Sequence, residues 1–363
     1  MTSEKKLITG NIVPTISYFR EDGTVQEGAC RLQALHALHH GADAIFALGS
    51  TGEGVHLKNL NNGNLAERTK LLLVSADAVL EYDDKNNKDV SLMVGVYGET
   101  AEEVLEDMKS LQASINSMYN AIGNEYSCLS KIKRFLVDNN AYLHILDAYV
   151  IPPPSDGKKT DEQLIEFYEH ILKESDLPVY MYNNPKFGGN MINNGVISQL
   201  RKYNSLKGIK DSSGTLEKKL EYIEMLDEDF SVSCGKEGMI GTFLKNIAPE
   251  KRRLAGIVPS LGNLTANPSR ILAYGLKELD EEMIEEQQYM NSFRNILYDA
   301  SQSKGKSQRG VKRCMKYIYD DHFGNISLFV NPIYKRDIEA ETIEKMHEMA
   351  DRCIKKGDIR PIY

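Results

Sequence analysis

L-K-G-I-K-D-S-S-G, Leu206–Gly214, is a short strand-like run that ends in Lys210 and passes at once into turn and helix-start residues, Asp211, Ser212, Ser213 and Gly214. A helical pattern begins near Leu216. Lys210 therefore stands at the carboxyl end of a strand, where the chain turns into a helix. A lysine in that place is either a solvated cation or an amine held against low-dielectric walls, with a lowered pKa and ready to attack a carbonyl carbon. The stretch alone leaves both readings open.

The same theme, an apolar run followed by an amphipathic helical pattern, recurs along the chain. Apolar runs occur at Asn11–Ile16, Ala44–Leu48, Val90–Val96, Ile145–Ile151, Pro178–Tyr182, Leu206–Lys210, Phe230–Cys234 and Leu254–Val258, eight in all. Helical patterns follow at Val25–His40, Leu65–Glu81, Ala101–Gln112, Asp161–Glu174, Asn194–Tyr203, Leu216–Leu226, Glu237–Asn246 and Pro268–Leu276. Strands alternating with helices imply a parallel sheet. Eight such units within residues 1–276 favour a closed (β/α)8 TIM barrel over an open doubly wound sheet. The expected fold is thus α/β, a barrel of residues 1–276 followed by a C-terminal helical region, 277–363. The third helix is expected to end near Gln112, and Ala113–Asn140 reads as an inserted helical excursion, because a bare loop of that length is uncommon.

The 363 residues are 41% hydrophobic and carry a formal net charge of −8, which argues against a nucleic-acid footprint. The five cysteines, Cys30, Cys128, Cys234, Cys314 and Cys353, are odd in number and have no C-x-x-C spacing. That is the usage of a reducing compartment, and a cytoplasmic location is expected. The N-terminus lacks the apolar run of a signal peptide, and no run is long enough for a membrane span. Asn263 in N-L-T and Asn325 in N-I-S are only nominal glycosylation sites.

Two further motifs sit at strand ends. G-S-T-G-E-G, Gly49–Gly54, follows A-I-F-A-L. Its glycines permit tight turning, and Ser50 and Thr51 offer hydroxyls and amides that suit a small carboxylate. The competing reading is an ordinary glycine-rich turn. M-Y-N-N-P, Met181–Pro185, places Tyr182 at the end of P-V-Y-M-Y. Tyr182 either relays protons near a reacting carbonyl or fills the barrel mouth. Tyr180 shares its face, so alternation does not separate the two. What favours chemistry is convergence. Ser50, Thr51, Tyr182 and Lys210 all fall at carboxyl ends of strands, and those ends form the catalytic face of a barrel. A phenol beside a buried lysine suits carbinolamine and imine chemistry.

Other candidates are weaker. His36, His39 and His40 lie on the first helix without an H-E-x-x-H pattern and read as a solvated face. Lys304–Arg313, K-G-K-S-Q-R-G-V-K-R, reads as a basic surface turn and helix start, the alternative being a contact for a partner or a phosphate. No G-x-S-x-G occurs.

At these residues the chain resembles the dihydrodipicolinate synthase / N-acetylneuraminate lyase family of class I aldolases. G-S-T-G-E is similar to its G-[ST]-T-G-E loop, M-Y-N-N-P to its Y-N-x-P motif and G-I-K-D-S-S-G to its G-x-K-[DE]-[SA]-[ST]-G motif. V-G-V-Y-G-E-T-A-E-E resembles its third strand and helix. The resemblance implies that Lys210 forms a Schiff base with a 2-oxo acid, usually pyruvate. It implies that Gly49, Ser50 and Thr51 hold the carboxylate and that Tyr182 shuttles the proton. It also implies a homo-oligomer, dimer or tetramer, with no metal or organic cofactor.

The chain departs from the family's pattern in three places. Phe187 stands where the synthases carry an arginine for the second substrate's carboxylate. I-P-P-P-S-D-G, Ile151–Gly157, replaces T-P-[YF]-Y, and the next tyrosine is Tyr168. The third departure is the inserted Ala113–Asn140. The expectation is a Schiff-base lyase or aldolase that is not a dihydrodipicolinate synthase and makes little use of aspartate semialdehyde. A catalytically idle relative with a binding or regulatory role is the alternative, and a metal-dependent barrel aldolase lacks a ligand set. The acceptor half of the substrate stays open, because its contacts come from variable loops.

Overall fold

A computed structural model describes residues 7–59, 65–121, 145–185, 189–299, 306–323, 326–329 and 338–362. Eight strands, β1 (Gly10–Pro14), β2 (Ala44–Ala47), β3 (Ser91–Gly95), β4 (Ala148–Ile151), β5 (Val179–Asn183), β6 (Leu206–Asp211), β7 (Ser231–Cys234) and β8 (Ala255–Ile257), run parallel and in sequence order. The barrel closes where β8 pairs with β1. The strands are buried on both faces, as A-I-F-A of β2 is throughout, which is why they read as continuous apolar runs rather than as alternation. One apolar cluster, including Ile12, Phe46, Met93, Val150 and Tyr180, fills the barrel interior, and a larger one lies between barrel and helices.

Among the described residues the α-helices are α1 (Glu27–His39), α2 (Gly54–Asn59), α3 (Leu65–Asn86), α4 (Ala101–Ala121), α5 (Asp161–Glu174), α6 (Asn194–Leu200), α7 (Leu216–Ile223), α8 (Ile240–Lys245), α9 (Asn267–Leu276), α10 (Asp280–Asp299), α11 (Lys306–Phe323) and α12 (Ala340–Lys356). Local chemistry sets their ends. Thr160 and Gln163 form a reciprocal capping box at the start of α5, whose Leu164, Phe167, Tyr168, Ile171 and Leu172 make one buried stripe. Thr215 caps α7, four residues after β6 ends, and Gly214 turns the chain between them at φ 91°.

Three expectations need correcting. Helix α4 does not end at Gln112 but continues to Ala121, so the first part of Ala113–Asn140 extends the third helix; 122–144 lies outside the described residues, as does Cys128. The basic run does begin a helix, but its Lys312 is wholly buried. And His36 and His40 are not on a solvated face. His39 is exposed, but His36 and His40 are buried and stacked, their ring centroids 4.0 Å apart. Segments remote in sequence cover them. Tyr319 on α11 and the Leu264 carbonyl bond the His36 ring at 2.7 and 3.0 Å, and the Arg360 amide donates to His40 Nε2 at 2.8 Å. The C-terminal segment also docks through buried Asp358, which accepts from Tyr289 at 2.9 Å and pairs with Arg270 at 2.5 Å.

Asn263 is likewise sealed. Its amide donates to the Pro14 carbonyl at 2.9 Å and accepts from the Ile16 amide at 3.1 Å, so N-L-T offers no accessible side chain; Asn325 lies outside the described residues. Among the described residues no helix is long and apolar enough to cross a membrane.

Burial holds His36 well below the usual imidazole value, and burial together with nearby Arg360 and His39 holds His40 down at about 4, against the pull of its bond to the His36 carbonyl. Folding depresses these values, so the unfolded chain binds more protons between pH 6.5 and about 4. The stability that depends on neutral imidazoles is whole above pH 6.5 and is lost as pH falls toward 4. For His40 the loss is roughly 3 kcal/mol. Urea unfolding of the wild-type chain should show this fall, and His40→Gln should flatten it. Equal pH slopes in the two proteins would contradict the assignment.

Candidate active site

The site begins with a register slip. β5 and β6 pair as Val179 with Leu206, then as Tyr180 with Gly208, so Lys207 is an extra residue and Tyr182 lies directly beside Lys210. Without that bulge Tyr182 would pair with Ile209, and Lys210 would face the outer helices. Instead the Lys210 side chain enters the barrel mouth, where the residue is 7% exposed. Its Nζ lies 4.0 Å from the Tyr182 ring centroid and 4.8 Å from that of Phe46, which projects from β2. Gly235, just past β7, completes the wall. A Cβ there would come within 2.2 Å of Ser212 Oγ and 3.2 Å of Lys210 Cε, so only glycine lets that strand end approach.

Burial lowers the Lys210 pKa, and the neighbouring Tyr182 partly opposes this. Burial would raise the Tyr182 phenol, but the Lys210 cation and hydrogen bonds from Ser50, Ser212 and Asn184 outweigh it and hold the value below ordinary. Tyr182 OH lies 3.2 Å from Ser50 Oγ and accepts from Asn184 Nδ2 at 3.1 Å. The amine and the phenol thus face each other within one buried pair, close enough to act together on a proton.

Ser50 comes from a loop bent back on itself. The amides of Gly52 and Gly54 both donate to the Gly49 carbonyl at 3.0 Å, and a Cβ on Gly54 would sit 1.8 Å from the Leu48 carbonyl oxygen. Leu48 and Glu53, neither a glycine, adopt φ of 54° and 60° on either side of the bend. Tyr97, two residues past β3, donates to the Leu48 carbonyl at 2.8 Å, and Ser17 Oγ donates to that of Gly52 at 2.9 Å.

Behind Lys210 the next residue faces outward. Asp211 is buried and accepts from Lys219 Nζ of α7 at 2.5 Å, from Asn183 Nδ2 at 2.7 Å and from the Ser213 amide at 3.1 Å. The bonds tie the end of β6 to the end of β5 and to the following helix. They fix the backbone from which Lys210 projects.

Lys210, Tyr182 and Ser50 thus meet in one mouth, with Gly49 and half-buried Thr51 in the same loop. Tyr180, left open by alternation, lies deeper in the barrel, where its hydroxyl accepts from the Ile8 amide at 2.7 Å. Tyr168, the next tyrosine after I-P-P-P-S-D-G, is buried on α5 and donates to the Ile151 carbonyl at 3.1 Å, so it props β4 from outside. Phe187 lies outside the described residues. Sequence reasoning assigned no part to Phe46, Asn184, Ser212 or Tyr97. Asn184 and Ser212 were in view within M-Y-N-N-P and K-D-S-S, but Phe46 in A-I-F-A-L carries no mark beyond its parity with the strand end.

The sequence profile of the Dihydrodipicolinate synthetase family matches residues 7–79 and 144–304. The chain belongs to this family. The profile passes over the region that contains the atypical Ala113–Asn140. Among relatives, the chain is 32% identical over 101 residues to a 2-dehydro-3-deoxy-D-gluconate/2-dehydro-3-deoxy-phosphogluconate aldolase of Picrophilus torridus, covering 28% of this chain and 38% of that one. It is 21% identical over 337 residues to a 4-hydroxy-tetrahydrodipicolinate synthase of Flavobacterium psychrophilum, covering 90% and 98%. Two further relatives are matched over 56% and 64% of their own length. In fold it is similar to YagE of E. coli K12, a member of the dihydrodipicolinic acid synthase family solved in complex with pyruvate, with a TM-score of 0.70 at 17% identity over 95% of this chain and 98% of that one. The fold of this family member is therefore the aldolase-type barrel of its relatives.

Lys219→Met would leave the Asp211 carboxylate buried without its cation, a loss of about 3–5 kcal/mol. Chemical denaturation should show that loss, and Asp211→Asn in the same chain should recover part of it. Unchanged stability in Lys219→Met would mean that the pair does not brace β6.

Proposed function

We propose that this protein is a class I, Schiff-base-forming lyase or aldolase that acts on pyruvate or a related 2-oxo acid. One observation carries the reading: a buried lysine amine held at the mouth of the barrel against a phenol whose hydroxyl meets Ser50. The relatives named as aldolases, and the likeness to a barrel solved with pyruvate, support it.

In the proposed reaction, Ser50 and Thr51 hold the substrate carboxylate, with Gly49 allowing the backbone to approach. The ketone carbon then lies beside Lys210. The neutral amine attacks it; a C–N bond forms, and the carbonyl electron pair moves to oxygen, which takes the Tyr182 proton. The new ammonium returns a proton to the phenolate, leaving a neutral carbinolamine and a neutral phenol. The hydroxyl then departs as water with the Tyr182 proton, and the nitrogen lone pair closes a protonated imine. That cation draws electrons from the bond two atoms away, which is what carbon–carbon cleavage or its reverse requires. Asn184 and Ser212 stabilise the phenolate between these transfers.

The replacement of T-P-[YF]-Y by I-P-P-P-S-D-G, with Tyr168 turned to the β4 backbone, favours one competing reading, an idle relative that binds an oxo acid without turning it over. Borohydride separates the two. Reduction in the presence of pyruvate or a related 2-oxo acid should fix an adduct on Lys210 that mass spectrometry can locate. Lys210→Ala should abolish it, and Tyr182→Phe should slow it roughly 100-fold or more with the fold intact. A folded wild-type chain that yields no Lys210 adduct with a broad panel of 2-oxo acids would end the enzymatic reading.

A further inference from the structure

The loop that presents Ser50 is held in an unfavourable conformation. Non-glycine residues with left-handed φ persist only where their surroundings impose them. Tyr97 and Ser17 restrain the first part of the bend. Its far side, at Glu53, is restrained from a distant part of the chain. Lys312 of α11 lies 3.2 Å from Glu53 Oε1, and the two side chains are 0% and 2% exposed. Lys312 Nζ also donates to the Phe329 carbonyl at 2.8 Å and lies 5.5 and 5.4 Å from the rings of Tyr18 and Phe19. A cation on a C-terminal helix has been brought fully out of water to meet a carboxylate at the end of the bend. On the same helix, Gln308 Nε2 lies 3.4 Å from the Ser50 carbonyl.

We propose that Lys312 is a positioning residue of the oxo-acid site: acting through Glu53, it holds the Gly49–Gly54 loop in the bend that presents Ser50 to Tyr182 and to the substrate carboxylate. This rests on the Schiff-base reading for its substrate, but not for its geometry. Lys312 is too enclosed to touch substrate, and it acts only on the loop. A buried ion pair is a poor general source of stability, but breaking one is costly, and a loop geometry that carries Glu53 away leaves the buried Lys312 charge without its carboxylate. The C-terminal helices thereby reach the first contact that the substrate makes.

The test compares the full-length wild-type chain with Lys312→Met, which keeps the apolar stem and removes the charge, and with Glu53→Gln. Two readings are taken. The first is hydrogen exchange in the loop without substrate, reported by the amides of Gly52 and Gly54, both bonded to Gly49. Exchange there should quicken at least 10-fold in Lys312→Met, while β6 and β7 exchange as in wild type. The second is borohydride trapping against pyruvate concentration. The half-saturating concentration should rise at least 10-fold, with the maximal trapping rate within about 3-fold of wild type, because the carboxylate contact is weakened and Lys210 is untouched. A lesion that merely loosened the protein would lower the maximal rate as well. The double variant Lys312→Met/Glu53→Gln should be no worse than the worse single one, because the residues act as a unit. Should Lys312→Met fail to fold, Glu53→Gln carries both readings. Unchanged loop exchange in a folded variant overturns the proposal, as does an unchanged half-saturating concentration with a trapping wild type. If the wild-type chain traps no oxo acid, the Schiff-base reading falls, and loop exchange alone decides whether Lys312 orders the bend.

Discussion

A lysine cannot be both solvated and nucleophilic at neutral pH. At its reference pKa only about one amine in 2,500 is free at pH 7. The ring faces of Phe46 and Tyr182 attract an ammonium, an effect worth up to about 2 kcal/mol, and this opposes deprotonation. Withdrawal from water is the larger influence on Lys210, so the net displacement is downward. The phenol that faces it is displaced downward as well, by the Lys210 charge and by Ser50, Ser212 and Asn184. The desolvated amine therefore faces an acidified phenol that supplies the proton its attack requires at the carbonyl oxygen.

The surrounding structure maintains that arrangement. The bulge at Lys207 turns Lys210 inward and aligns it with Tyr182. The outward Asp211 locks the strand end to Lys219 and Asn183. Gly235 allows β7 to press against the lysine stem. On the opposite side of the mouth, the bend at Gly49–Gly54 is gripped by Tyr97, Ser17 and Lys312, which belong to the segments after β3 and β1 and to a C-terminal helix. The mouth is thus assembled from elements across the whole chain, as barrel sites are.

The eight-strand barrel was legible because buried parallel strands are apolar on both faces and the helices between them carry their own stripes and caps. Lys210, Tyr182 and Ser50 were legible because each closes such a run, and barrel geometry sends all strand ends to one mouth. The bulge was not, since L-K-G-I-K has no residue that demands it. Lys312 and the pair His36 and His40 were misread for a common physical reason. Polarity predicts exposure only until another segment covers it, and Phe329, Tyr319, Leu264 and Arg360 arrive from hundreds of residues away in several of these contacts. The end of α4 was missed although the signal was present, because Leu111, Ile115 and Met118 continue the helical spacing past Gln112.

The central claim is that burial frees the Lys210 amine. Competitive acetylation measures this directly. The rate of Lys210 modification is followed from pH 6 to 11 against a reference lysine peptide and resolved by mass spectrometry. The expected titration midpoint lies below the ordinary lysine value of 10.5, and it should move when Tyr182→Phe removes the opposing phenol. A midpoint at or above 10.5 would contradict the claim, because the barrel mouth would then be stabilising an ammonium rather than releasing a nucleophile.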